Sequence, residues 1–260
     1  MDKEKIDSSP TMRFSARAKY YNKYRPGYPE EIGELLRAEC GLESSSVIAD
    51  IGSGTGILSE MFLKSGNVVY SVEPNKEMRE VAEELLSEYD NFRSVAGSAE
   101  STSLEDRSAD LITVGHAFHW FDVNKSRVEF SRILKPGGWV ALIWNERRTD
   151  TTPFLRAYED LLLNFGTDYK QVNPANFGYG VFSAFFSKNG FQIKVLENIQ
   201  TFDFEGLKGR LFSSSYVPMD GHPNYETMMD QLQHIFLEFQ KDGKVIFEYD
   251  TKLYWGRLEE

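Results

Sequence analysis

The stretch Ala49-Asp50-Ile51-Gly52-Ser53-Gly54-Thr55-Gly56 constrains this chain most. It closes the apolar run Val47–Ile51 and opens a helical pattern. Glycines at such a strand-to-helix turn permit a tight backbone and let a ligand approach it, facing amide N–H groups and a helix N-terminus. Spacing separates the ligands that use turns of this kind. A phosphate-binding loop needs Gly-Lys-Ser/Thr, which does not follow, and a dinucleotide fingerprint G-x-G-x-x-G needs glycine at 57, where Ile57 stands. What remains is G-x-G-x-G behind an aspartate.

A second signal lies at Glu73, at the end of the next apolar run and 19 residues after Gly54. A carboxylate there can accept both hydroxyls of a ribose. Turn and acid together indicate an adenosine-type cofactor, and the compact glycine spacing favours S-adenosylmethionine over NAD.

The flanking pattern sets the fold class. Val47–Ile51, Val68–Val72, Phe92–Ala96, Leu111–Gly115 and Trp139–Trp144 read as strands, nearly continuously apolar, as parallel strands covered on both faces are. Between them lie helices. One is capped by Asn75 and carries Met78, Val81, Ala82, Leu85 and Tyr89 on one side. Another, Asn124–Leu134, is stopped by Lys135-Pro136-Gly137-Gly138. Such alternation implies an α/β, doubly wound, mostly parallel Rossmann-like sheet. Beyond Thr149, Thr151–Lys188 reads as helical with loops near Pro174 and Gly178–Gly180. A strand from Phe191, helices Leu207–Ser214 and Tyr225–Gln240, and a last strand Val245–Trp255 bring the sheet to seven. The expected organisation is one domain over 1–260: an arm or lid at 1–30, a cofactor-binding core at 31–150, helical substrate-cap insertions at 151–190 and 205–242, and closing strands at 191–204 and 243–256.

Charge and cysteine content narrow the partners. A net charge of -11 argues against nucleic acid, whose binding relies on neutralising phosphates. The stretch Thr11–Pro29 is locally basic, with Arg13, Arg17, Lys19, Lys23 and Arg25, and reads as a wall of the ligand site. Cys40 is the only cysteine, which excludes an intrachain disulfide, and the four histidines show no metal-binding pair at helical spacing. No apolar run approaches the ~20 residues that span a bilayer, and the polar opening Met1–Pro10 does not fit a secretory leader. A cytoplasmic monomer or homodimer acting on a small molecule is expected.

The ordered series Asp-Ile-Gly-Ser-Gly-Thr-Gly, Val-Glu-Pro-Asn, Ala-Gly-Ser-Ala-Glu and Arg-Ile-Leu-Lys-Pro-Gly-Gly resembles that of class I S-adenosylmethionine-dependent methyltransferases over roughly residues 12–150. It is similar in particular to the small-molecule branch that includes trans-aconitate methyltransferase. The resemblance implies that Gly52, Ser53 and Gly54 contact the methionine part of the cofactor with Asp50 supporting the loop. It places Glu73 on the ribose, Asn75 and Met78 beside ribose and adenine, and Ser98, Ala99 and Glu100 along the adenine edge. Family members often carry Asp where Ser98 stands, so Glu100 or a backbone carbonyl is the substitute acceptor for the adenine amino group. A Tyr…Tyr-Arg-Pro-x-Tyr-Pro arm like that of residues 20–29 closes over the cofactor in the family. Arg25 is then the partner of the cofactor carboxylate, and Tyr21 covers the sulfonium.

For the acceptor, the candidates follow the fourth and fifth strands, outside whose carboxyl ends ligands bind in open α/β sheets. Gly115 opens the loop His116–Phe121, in which His119 and Trp120 are the catalytic candidates and His116 a substrate contact; Phe118 and Phe121 read as core. Arg147 or Arg148 can recognise an anionic acceptor or belong to a solvated loop, and Ser213, Ser215 and Tyr216 are further candidates for the acceptor cavity. His222 and His234 receive no role. Methyl transfer from a sulfonium needs positioning and water exclusion more than a base. The leading expectation is transfer to oxygen, as carboxylate or hydroxyl. RNA or protein methylation, and a binding module without turnover, are the alternatives.

Overall fold

The near-continuous apolar runs pair as parallel neighbours, and the central ones, Val47–Ile51 and Ala109–Gly115, are buried on both faces. In the computed structural model, residues 18–169, 179–186 and 190–258 are described. Arg13, Arg17 and Pro174 lie outside them, as does most of the expected loop before Gly180. The described elements are α1 (Ala18–Tyr24), α2 (Glu31–Cys40), β1 (Val47–Ile51), α3 (Ile57–Lys64), β2 (Val68–Val72), α4 (Lys76–Leu85), β3 (Phe92–Val95) and β4 (Ala109–Gly115). A 3₁₀ turn at Phe118–Trp120 precedes α5 (Val123–Ile133) and β5 (Leu134–Arg147). The remainder comprises α6 (Pro153–Phe165), α7 (Tyr179–Phe186), β6 (Gln192–Phe202), α8 (Phe204–Phe212), α9 (Tyr225–Phe239) and β7 (Val245–Gly256).

The strands form one seven-stranded sheet in the order β3-β2-β1-β4-β5-β7-β6. The first five are parallel; β7 runs antiparallel to β5 and to β6. Side chains alternate across the sheet. Ala49 and Ile51 face one core with Leu142 and Trp144, whereas Ile48 faces another with Ala141 and Ile143. A third core joins α6, α8 and α9 to the edge of β7 through Leu155, Leu211, Leu232 and Phe247. Those helices stand over the carboxyl ends of the central strands. Among the described residues no helix is long and apolar enough to cross a membrane.

Several boundaries depart from expectation, among them the end of the helix capped by Asn75, which stops at Leu85 and leaves Tyr89 outside it, and three have a visible cause. The helix before Lys135 stops as read, but pairing resumes at Leu134 beside Ala109 and shifts register before Leu111 meets Trp139. The Pro-Gly-Gly segment is therefore a bulge inside a 14-residue strand, not a loop ahead of a short one. Helix α8 starts at Phe204, three residues earlier than read, because the Asp203 carboxylate accepts the Gly206 N–H (2.7 Å) and caps it. Asp122, whose carboxylate accepts the Lys125 N–H (3.1 Å), likewise starts α5 at Val123.

Candidate functional site

The glycine turn is held from behind and from the side. The N–H groups of Gly52 and Ser53 both donate to the Val72 carbonyl (2.8 and 3.2 Å), tying the turn to the end of β2. Behind it, the fully buried Asp50 carboxylate accepts from Ser59 Oγ (2.7 Å) and Thr113 Oγ1 (3.1 Å). That one side chain joins β1, β4 and α3, and burial pushes its carboxyl up to about 6 against those hydrogen bonds. Gly52 sits at φ +68°, and a Cβ there would lie 2.6 Å from the Ala117 Cβ, so the position requires glycine on two counts.

Glu73 clasps the turn from β2. One carboxylate oxygen accepts the Gly54 N–H (3.0 Å) and the other the Asn75 N–H (2.8 Å). The Asn75 side chain in turn accepts the Met78 N–H (2.9 Å) and caps α4, as expected. Burial raises the Glu73 carboxyl above its ordinary range, opposed by the two amides and by Arg79. Each carboxylate oxygen keeps a lone pair for another donor.

Three neighbouring cavities, which share Tyr21 and His116 in their walls, lie beside these elements. Tyr21, Gly52, Gly54, Glu73, Asn75 and Met78 line a chamber of about 220 Å³, whose other wall is Ser98, Ala99, Glu100 and Gly115. Glu100 is partly committed, accepting the Asp122 N–H (2.9 Å). A narrow throat of about 40 Å³ runs beneath, between Asp50, Ser53 and Gly54 on one side and Arg25 and Arg210 on the other. Ser53 Oγ and Arg25 Nε are buried there without a hydrogen-bond partner among the described residues. Arg25 otherwise donates to the Ser213 carbonyl (3.0 Å), with its guanidinium 5.0 Å from the Tyr21 ring centre. The arm is tied down again where Thr55 Oγ1 donates to Asn22 Oδ1 (3.1 Å).

The third chamber, about 840 Å³, gathers His116, His119, Trp120, Arg147, Ser215 and Tyr216. His116 takes φ +55°, and its Nε2 accepts the Asn145 N–H at 2.6 Å. That bond leaves the ring proton on Nδ1. Burial, with the nearby Arg25, lowers His116 to about 3. Burial lowers His119 to about 4, and its Nδ1 has no partner among the described residues. Both rings are neutral at physiological pH. The His119 ring centre lies 4.7 Å from that of Trp120.

Phe118 is fully buried and Phe121 packs beside it, as core. The two arginines at the end of β5 part company. Arg148 bonds Asp250 and Glu197 at the rim, whereas Arg147 turns inward, pairs with Glu159 and donates to Tyr169 Oη (3.2 Å). Ser213 is buried away from the chamber, its Oγ donating to the Arg210 carbonyl (2.7 Å). His222 and His234 are exposed. Sequence reasoning gave no role to Asn145, Glu159, Tyr169 or Arg210. For Arg210 a signal existed: an arginine one position before Leu211 in an otherwise apolar helix face.

A parallel sheet of this order, a glycine turn after β1 and an acid clasping it from β2 are the arrangement expected of a class I S-adenosylmethionine-dependent methyltransferase. Residues 49–142 match the family described as methyltransferase domain. An uncharacterized methyltransferase of Schizosaccharomyces pombe is 29% identical over 90% of this chain and 92% of its own. A second methyltransferase-like protein of that organism is 33% identical over 57% of each chain, so the chain spans little more than half the length of that relative. A solved structure from Anaeromyxobacter dehalogenans, described as a candidate type II methyltransferase, superposes with a TM-score of 0.69, 20% identity and coverage of 91% of this chain and 100% of that one. This last likeness speaks to the fold. The matched domain, these relatives and the fold together support a class I S-adenosylmethionine-dependent methyltransferase, with S-adenosylmethionine as cofactor.

Proposed function

We propose that the chain methylates a small molecule at oxygen, as a cytoplasmic monomer or homodimer. The observation that carries this reading is the adjacency of two cavities. The chamber beside the glycine turn and Glu73 shares Tyr21, His116 and Trp120 with a cavity of about 840 Å³. That volume lies in the range of small-molecule sites, and its aromatic and polar lining suits an organic acceptor better than a polyanion.

The residues fit the cofactor. The throat supplies unpartnered polar atoms at Ser53 and Arg25, and the upper chamber supplies the Glu73 carboxylate beside the apolar Met78 and Ala99. When bound, S-adenosylmethionine supplies an electrophilic methyl group on a sulfonium whose leaving group is a neutral thioether. In this reading Arg25 holds a carboxylate, Gly52, Ser53 and Gly54 present the turn to the amino-acid part with Asp50 bracing it, and Glu73 accepts ribose hydroxyls. Asn75 and Met78 flank the sugar and base, Ser98, Ala99 and Glu100 form the base's edge, and Gly115 keeps the floor open. Tyr21 presents an aromatic face to positive charge. Neutral His119 can accept a hydrogen bond or a proton from an acceptor hydroxyl, with Trp120 excluding water. His116, Arg147, Ser215 and Tyr216 orient the acceptor.

Calorimetry with S-adenosylhomocysteine, on the wild type and on Glu73→Ala, tests the cofactor half. Formation of S-adenosylhomocysteine from a metabolite extract, compared with a macromolecular fraction, tests the acceptor half. Turnover confined to the macromolecular fraction would overturn the small-molecule reading.

A further inference from the structure

Helix α8 turns one charged side chain inward. Arg210 is 4% exposed, between the fully buried Leu207 and Leu211. Its Nε donates to Tyr249 Oη (3.1 Å), and its Nη1 reaches Ser213 Oγ (3.4 Å) and Ser214 Oγ (3.2 Å). All three partners are neutral, and among the described residues Arg210 makes no ion pair. A guanidinium withdrawn from water without a counter-charge is expensive to keep. Arg210 also borders both the throat and the large chamber, so an anion in the cleft can reach it.

Neighbouring groups share the same excess of donors. Arg147 spends Nη2 on Glu159 and Tyr169, while its Nη1 is buried with no partner among the described residues. The Arg147 guanidinium lies 5.1 Å from the ring centre of Tyr158, whose hydroxyl is also buried and unpartnered. Trp144, on the chamber wall, has an unpartnered Nε1. If Arg25 takes the carboxylate of the cofactor, one buried cation remains uncompensated.

Resting on the proposed methyl transfer, we infer that the acceptor is a small organic anion, seated through a carboxylate on Arg210 and Arg147, with Arg210 as the residue that sets this specificity. A planar guanidinium matches a carboxylate in shape and charge. The anion neutralises Arg210 and satisfies the open Nη1 of Arg147.

The test is calorimetry on the full chain saturated with S-adenosylhomocysteine, titrated with short straight-chain mono- and dicarboxylates and with the neutral amide of each. At least one carboxylate should bind about tenfold or more tighter than its amide, the discrimination of about 1.4 kcal/mol expected of a charge-assisted contact. Arg210→Gln should abolish that preference, and because Arg210 also borders the throat the affinity for S-adenosylhomocysteine should fall too, but by a smaller factor than that for the carboxylate; Arg210→Lys should retain part of the preference. Equal binding of carboxylates and amides to the wild type, or no binding of any carboxylate, overturns the inference without needing a variant. An Arg210→Gln or Arg210→Lys protein that melts cooperatively but loses S-adenosylhomocysteine as strongly as carboxylate overturns it too, since the arginine then serves the cofactor. Should Arg210→Gln not fold, Arg210→Lys and the wild-type comparison decide. Failure of the wild type to bind S-adenosylhomocysteine refutes the methyltransferase reading itself.

Discussion

Replacing Glu73 by glutamine separates two tasks that the carboxylate performs at once. Its oxygens accept the N–H groups of Gly54 (3.0 Å) and Asn75 (2.8 Å), so it ties the glycine turn to the start of α4. Hydrogen bonds to a charged group contribute about 1.5–3 kcal/mol each. Glutamine keeps one acceptor and turns an NH₂ toward the other amide, so one bond is lost and a donor is left facing a donor. The expected destabilisation is about 2–3 kcal/mol, or a fall in melting temperature of roughly 4–10 °C for a chain of this size. Binding suffers separately. Ribose hydroxyls donating to a neutral amide oxygen gain about half what they gain from a carboxylate. Affinity for S-adenosylhomocysteine should therefore fall by about 1.5–3 kcal/mol, some 10- to 150-fold. Urea unfolding without ligand measures the first effect, and calorimetry at a temperature where the variant is fully folded measures the second. A folded Glu73→Gln protein that binds S-adenosylhomocysteine within twofold of the wild type would show that the carboxylate only clasps the turn.

Three further outcomes are expected. His119 is lowered from 6.5 to about 4, so the unfolded chain binds more protons between those values, and stability rises with pH across that window and is level above it. Between pH 7.5 and 5, wild type should lose about 2 kcal/mol more than His119→Gln by urea unfolding; equal losses would refute a neutral buried imidazole. Gly209→Ala would put a Cβ 2.1 Å from the Tyr24 ring, so α1 should detach from α8, with about 1–3 kcal/mol lost and faster proteolysis near Tyr24. An unchanged cleavage rate contradicts the docking of the arm. Gly52→Ala, at φ +68° and 2.6 Å from the Ala117 Cβ, should lose S-adenosylhomocysteine binding in calorimetry while staying folded by circular dichroism.

The centre of the sheet was legible because its strands β1, β2 and β4 are largely buried on both faces. β1 and β2 begin and end where the apolar runs do, since nothing but burial sets their limits. β5 was not legible at its start. Pro136 and Gly137 are stop signals locally, yet the pairing of Leu134 with Ala109 is a long-range contact, and such contacts override local turn chemistry. The start of α8 was hidden for a different reason. Asp203 caps it, but Phe202 and Phe204 around it read equally well as the end of a strand, and the cap cannot be told from a loop aspartate until the chain turns.

The candidate site divides along the same line. Its cofactor side is built by residues close together in sequence, a turn of a few residues and an acid at the end of the adjacent strand, so spacing alone could find it. Its acceptor side is assembled from distant segments: His116 with Asn145, and Arg147 with Glu159 and Tyr169. Arg148 and Arg147 show what sequence leaves open. They are identical neighbours where β5 ends, Arg147 its last residue and Arg148 the next, and the chain sends one to Asp250 at the rim and the other to Glu159 inside. Arg210 carries the argument furthest. On its own helix it is one cation among apolar positions, and only the approach of β7, bringing Tyr249 rather than an acid, leaves its charge uncompensated. An acid at 249 would have closed that account within the fold. The tyrosine satisfies the geometry of Nε without the charge, and that difference is what an anion in the cleft can supply.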